Sequence, residues 1–190
     1  MEDDLTKKKK KDLAIAVGKA AVSAIPVAGG PLAVLFEEFF PGEWERRVSE
    51  LLTHLSEDFK RVEDQLDEQK VRSEEFFSTF YTSFRLALST HQKEKIDCYR
   101  AIILNSALEN SPNEDEQALF IKITDDLTVL HVKILKILKA PELYLNENTE
   151  AAKRIGSSSL GSLDHLFRVC LPDYPDDNIK IAFKDLHNLG

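Results

Sequence analysis

From Glu43 to Glu68, apolar side chains return every three or four residues: Trp44, Val48, Leu51, Leu52, Leu55, Phe59, Val62 and Leu66. A backbone with a period near 3.6 gathers these positions on one side, whereas the two-residue period of a strand would scatter them over both faces. The other side carries Glu43, Glu45, Arg46, Glu50, Glu57, Lys60, Glu63, Asp64 and Asp67, so an amphipathic helix is expected here. The same rhythm recurs downstream. Ser73 ahead of Glu74 and Glu75 reads as a helix start, and Phe76, Phe77, Phe80, Tyr81, Phe84 and Leu88 then form the aromatic stripe of a central helix. Ser89 and Gln92 have capping-box spacing, which predicts a kink or new helix near Thr90, with Ile96, Tyr99, Ile102, Ile103 and Ala107 along one side as far as Leu108. Ser111, Pro112 and Glu114 form another start signature, followed by Leu119, Phe120, Ile123, Leu127, Leu130, Ile134, Leu135 and Leu138. No alternating strand pattern competes with these runs. The expected fold class is all-α: an antiparallel helical bundle with a small C-terminal helical module.

The chain has 190 residues, enough for one body and an appendage. Residues 1–11, with Lys7 to Lys11 in a row, are expected as a mobile basic arm. The bundle is expected over 12–140 and opens with an apolar helical hairpin. Asn146, Asn148, Gly156, Ser157 to Ser159 and Gly161 mark 141–161 as a linker or irregular crossing. A small module over 162–190 follows, with Leu163, Leu166, Phe167, Val169 and Leu171 before Pro172, an acidic turn, and then Ile179, Ile181, Ala182, Phe183 and Leu186. The chain stops at Asn188-Leu189-Gly190, where a capping glycine normally leads into another element, so a longer protein is expected.

The N-terminal hairpin is the most ambiguous stretch. Residues 12–25 are alanine-rich, Pro26 to Pro31 form an apolar corner, and Leu32 to Phe40 resume a helical run. Three readings apply: a hairpin plugged into the core, an interface for another chain, or a conditionally exposed membrane-active segment. No charge occurs from Ala20 to Phe36, yet a span needs about 20 such residues, and Pro26, Gly29, Gly30 and Pro31 interrupt this one. The candidate residues for partner or membrane contact are Val17, Val22, Ile25, Val27, Leu32, Leu35, Phe36, Phe39 and Phe40.

Charge and motif spacing bound the chemistry. Lys and Arg number 25 against 33 Asp and Glu, a formal net charge of −8, which excludes a broadly basic nucleic-acid surface. Cys98 and Cys170 have no metal-ligand spacing, and reduced thiols in a cytoplasmic setting are expected. Gly156 to Ser162 keeps the glycine spacing of a phosphate loop but has neither the lysine nor a preceding strand. His54, His91, His131, His165 and His187 fall in no H-E-x-x-H or Glu-x-x-His pattern. His91 and Cys98 share a helical face but stand two turns apart, about 10 Å along the axis. His165, beside Asp164, is badly spaced to serve Cys170. No catalytic, cofactor or metal residues are therefore assigned. The expected function is a non-enzymatic interaction or regulatory module with a protein partner or a second copy, no nucleic acid, and conditional membrane contact. A membrane-perturbing effector is the alternative, and a hydrolase assembled across the bundle ranks below it.

Several stretches carry a resemblance. Ala24-Ile25-Pro26-Val27-Ala28-Gly29-Gly30-Pro31, Phe39-Phe40 and Trp44-Glu45-Arg46-Arg47 are similar to a group of bacterial all-helical proteins. The likeness continues at Thr90 to Lys95, Asn105 to Leu108, Pro112 to Asp115 and Asp185 to Gly190. It implies a helical fold, a bacterial origin and a chain that continues further, with no catalytic residues. In texture the N-terminus also resembles helical-bundle cell-death effectors, which implies membrane contact through Ala14 to Phe40, assisted by Lys7 to Lys11.

Overall fold

A computed structural model describes residues 42–155 and 162–189. The fold is an all-helical bundle. Among the described residues there are ten α-helices, and the one β feature is an isolated bridge between Leu66 and Leu108. Two compact units divide the chain between Asp125 and Asp126.

The first unit is built from α1 (Glu43–Arg61), α2 (Glu68–Val71), α3 (Glu74–Ser89), α4 (Lys93–Ser106) and α5 (Glu114–Asp126), the last reaching the division. Gly42 precedes α1 with φ 66°, a left-handed conformation that a side chain would strain even though the space beside it is open. Acidic Glu43 and Glu45 in the first turn of α1 and basic Lys60 and Arg61 in the last complement the helix dipole. The helix ends earlier than its apolar rhythm predicts. Val62 leaves helical geometry, a 3-10 turn occupies Glu63–Gln65, and the chain runs extended beside α4's end. There Asp67 N–H donates to the Ala107 carbonyl at 3.0 Å, and Glu109 N–H donates to that of Gln65 at 3.3 Å. Leu66 is thereby buried from an extended segment instead of from a helix.

Ser73 caps α3 as its sequence indicates, accepting the Phe76 N–H at 3.0 Å. Phe76, Phe80 and Phe84, four residues apart, ride into the core against Tyr99, Ile103 and Ala107 of the α4 side. Phe77 and Tyr81 lie one position further round; Phe77 is 57% exposed and stacks on Tyr81 with centroids 6.3 Å apart. The aromatic stripe therefore divides into a buried row and a surface row. Between α3 and α4, Thr90 Oγ1 accepts the Gln92 N–H at 3.1 Å, so the break is a local side-chain turn instead of a Ser89–Gln92 box.

The second unit holds α6 (Val129–Lys139), α7 (Pro141–Glu147), α8 (Thr149–Ile155), α9 (Leu163–Cys170) and α10 (Asp176–Leu189). Thr128 starts α6 with a reciprocal cap: its hydroxyl accepts the His131 N–H, and His131 Nδ1 accepts the Thr128 N–H at 3.0 Å. The boundary expected near residue 140 thus moves to Asp125–Asp126. Its physical basis is the core: Leu130, Ile134 and Ile137 of α6 are buried with Ala151, Leu166, Phe167, Cys170, Ile179 and Ala182. Residues 141–155, expected within a linker or irregular crossing, form two short helices. Pro141 begins α7 where its missing N–H is harmless, and Tyr144, Leu145 and Ala151 pack on the same core. Residues 156–161 of that expected linker lie outside the described residues.

Among the described residues, no helix is long and apolar enough to cross a membrane.

Candidate interaction cleft

The seating of α5 sets the candidate site. The start signature at Ser111-Pro112 is displaced by two residues: Asn113 caps the helix, its Oδ1 accepting the Glu116 N–H while Glu116 Oε2 accepts the Asn113 N–H, both at 3.0 Å. Starting there, α5 buries Gln117 and Thr124 and leaves Leu119 52% and Phe120 46% exposed. A helix of the first unit thus rests on polar groups and turns large apolar ones outward, the reverse of the expected pattern.

Gln117 explains how this is tolerated. Its Oε1 accepts the Thr79 hydroxyl at 2.7 Å, while Nε2 donates to Glu75 Oε1 at 3.0 Å and to the Pro112 carbonyl at 2.8 Å. Every strong polar atom of a buried amide is therefore engaged, and burial does not carry the penalty of an orphaned group. At the far end of α5, Tyr99 donates its phenol to Asp125 Oδ1 at 3.1 Å, and Lys95 Nζ donates to the Asp125 carbonyl at 2.7 Å. Burial, then the hydrogen bond to Asp125, pushes the Tyr99 phenol well above its ordinary range.

Held at both ends by polar contacts, α5 does not close on α4. An open cleft of about 720 Å³ lies between them, within the volume range of small-molecule sites. Cys98, Ala101, Ile102, Asn105 and Leu108 line one wall, Phe120, Ile123 and Thr124 the other, and Gln65, Asn110 and Pro112 stand at one end. Glu114, Asp115, Glu116, Asp125 and Asp126 make α5 strongly acidic, with Lys122 as its one base. Apolar walls beside an acidic helix suit a partner with an apolar face and a basic flank.

A second, more polar cleft of about 360 Å³ is lined from α1, α3 and the start of α4, with His54 and His91 among its residues. Its arginines are already engaged. Arg47 donates to the carbonyls of Leu88 at 2.7 Å and Thr90 at 3.0 Å, and Arg46 binds Glu43 and Glu50. The hydrogen bond from Arg46 holds the Glu43 carboxyl below its usual range. Nearby, Arg100 Nε and Nη2 donate to Asp58 Oδ2 at 2.9 and 2.6 Å, and Arg61 pairs with Asp58 Oδ1. His91 lines this cleft and Cys98 the apolar one, so the two are not brought together.

Cys170 is buried in the second unit's core, and burial pushes its thiol up, away from nucleophilic character. Among the described residues, no three His, Cys, Asp or Glu side chains converge as a metal site. Val17, Val22, Ile25, Val27, Leu32, Leu35, Phe36, Phe39 and Phe40, the contact residues expected from sequence, lie outside the described residues.

Sequence reasoning missed the cleft because it counted the apolar residues of α5 and passed over Gln117 and Thr124. Those two lie seven residues apart, two turns of one face, and that spacing was the available signal. The chain matches no family model, no curated protein and no solved structure.

Proposed function

We propose that this chain is a non-enzymatic protein-interaction module, and that the α4–α5 cleft takes an amphipathic helix bearing a basic flank. The observation that carries the reading is α5 resting on Gln117 and Thr124 while Phe120 and Ile123 line an open apolar cleft. Such a groove offers side-chain pockets to apolar residues at three- and four-residue spacing, and the carboxylates of α5 favour a cationic flank. Kinship with bacterial all-helical proteins belongs to the same proposal.

A photoreactive benzoylphenylalanine replacing Phe120 tests it in the purified chain, alone and with an Ala/Val/Ile helical peptide carrying a lysine run. Adducts on one segment at three- and four-residue spacing, in the peptide or in the chain itself, support the reading. Scattered adducts, or none, overturn it.

A membrane-perturbing role is the second reading, favoured by Lys7 to Lys11 ahead of the uncharged stretch from Ala20 to Phe36. It requires the full chain to float with anionic liposomes and to lose that association when residues 1–40 are deleted. An absence of flotation under every activating condition ends it.

A further inference from the structure

We infer that the resident occupant of the α4–α5 cleft is this chain's own N-terminal segment, residues 12–25, held there in cis. The inference rests on the interaction reading above and names its partner.

Three observations converge on that segment. First, the cleft is walled by Ile102, Phe120 and Ile123, with Ala101 and Cys98 leaving room between them, so it fits a slender helix better than a bulky one. In residues 12–25, Val17, Ala21 and Ile25 fall four residues apart among further alanines, the profile of a narrow apolar helix. Second, charge is complementary at the same place. Lys7 to Lys11 immediately precede this segment, and α5 bears five carboxylates against Lys122. Third, the chain can reach. The described structure begins at Gly42, and Arg47, little more than a turn into α1, donates to the carbonyls of Leu88 and Thr90 at the corner between α3 and α4. The cleft starts one turn and a half along α4, at Cys98. Residues 26–41 extend to roughly 50 Å, several times the length of α4 that lines the cleft.

An internal occupant turns the cleft into a regulated surface. A partner helix with a similar face and flank competes with residues 12–25, and its binding displaces the chain's own apolar N-terminus. The second reading of the function needs that release, so one competition would govern both surfaces. The linkage is reciprocal: whatever binds the released segment also opens the cleft.

Cys98 reports occupancy because it lies in the cleft, and buried Cys170 serves as an internal reference for intact folding. Maleimide modification of each thiol is followed by peptide mass spectrometry in the full 190-residue chain. The wild type is compared with Val17→Asp/Ile25→Asp and with a variant in which Lys7 to Lys11 are each changed to Glu, which reverses the charge ahead of the segment. Cys98 is expected to react at least about ten-fold faster in both variants, with Cys170 unchanged, since removing an occupant raises the open population by that order. The wild-type rate should not change on dilution. Equal Cys98 rates in wild type and both variants overturn occupancy in cis, and protection that disappears on dilution assigns the cleft to a second copy instead. A synthetic peptide of residues 5–27, added to the double variant, separates the two readings. If it protects Cys98 although the wild type is unprotected, the interaction reading stands and the cis arrangement falls. If neither protects Cys98, both fall.

Discussion

Asp58 is 6% exposed and receives two guanidinium groups, Arg100 on one oxygen and Arg61 on the other. Nothing in the apolar spacing of α1 marks it for burial; only the approach of Arg100, 42 residues away, makes that burial tolerable. Asp58→Ala leaves the largely covered Arg100 without its partner, and a loss of about 2–4 kcal/mol in urea unfolding is expected. A loss near zero would mean that Asp97 alone satisfies Arg100. Tyr99 and Cys170 illustrate a different residue-scale effect. Both acids are held neutral by the fold, with burial the leading cause, so their folded ionisation lies above the unfolded one. Stability from these groups is fully present below the unfolded values, about 8.5 for the thiol and 10 for the phenol, and falls as pH rises through them. The urea midpoint should therefore drop between pH 8 and pH 11. Tyr99→Phe should flatten the upper part of that fall, and an unaltered slope would contradict the assignment.

At the scale of elements, the helix caps show what local sequence can and cannot say. Ser73 was legible, because a short hydroxyl followed by two acids has few other uses. Ser73→Ala removes the acceptor for Phe76 N–H, and a loss of about 1 kcal/mol is expected by thermal or urea unfolding. Ser111-Pro112-Glu114 was an equally good local signature, yet Asn113 took the cap because its exchange with Glu116 satisfies two backbone donors at once. The apolar run after it, from Leu119 to Leu138, reads from sequence as one continuing pattern. Thr128 and His131 cut it in two, and the break separates two cores. The seat of α5 depends on one amide: Gln117→Leu strands Thr79 and Glu75, with an expected cost of about 1–3 kcal/mol. Increased exchange of α5 amides, with α3 and α4 little altered, would show that this amide anchors the helix. Uniform loss across the unit would show a wider role.

For the whole molecule, the two cores predict separable responses to truncation. Phe84→Ala, at 3% exposure, should cost about 3–5 kcal/mol and Ile134→Ala, fully buried, about 2–5 kcal/mol. Hydrogen exchange should register the first across α1, α3 and α4 and the second across α6, α9 and α10. Loss of protection throughout the chain from either substitution would indicate one cooperative body.

What the sequence by itself determined was the class of architecture and most of the helix inventory. Apolar spacing near 3.6 residues is a property of a single segment, and so are a serine cap and a proline at a helix start. The core row Phe76, Phe80 and Phe84 follows from the same periodicity. Tertiary structure alone decided which apolar residues stay buried, where one core ends and the next begins, and that α5 stands on Gln117. Those outcomes depend on pairings across 38 to 42 residues, Thr79 with Gln117 and Asp58 with Arg100, and no local pattern encodes such a distance. A polar residue within an apolar run looks like a break until its partners arrive from another helix. Here they arrive, and the apolar residues beside it are left lining a cleft.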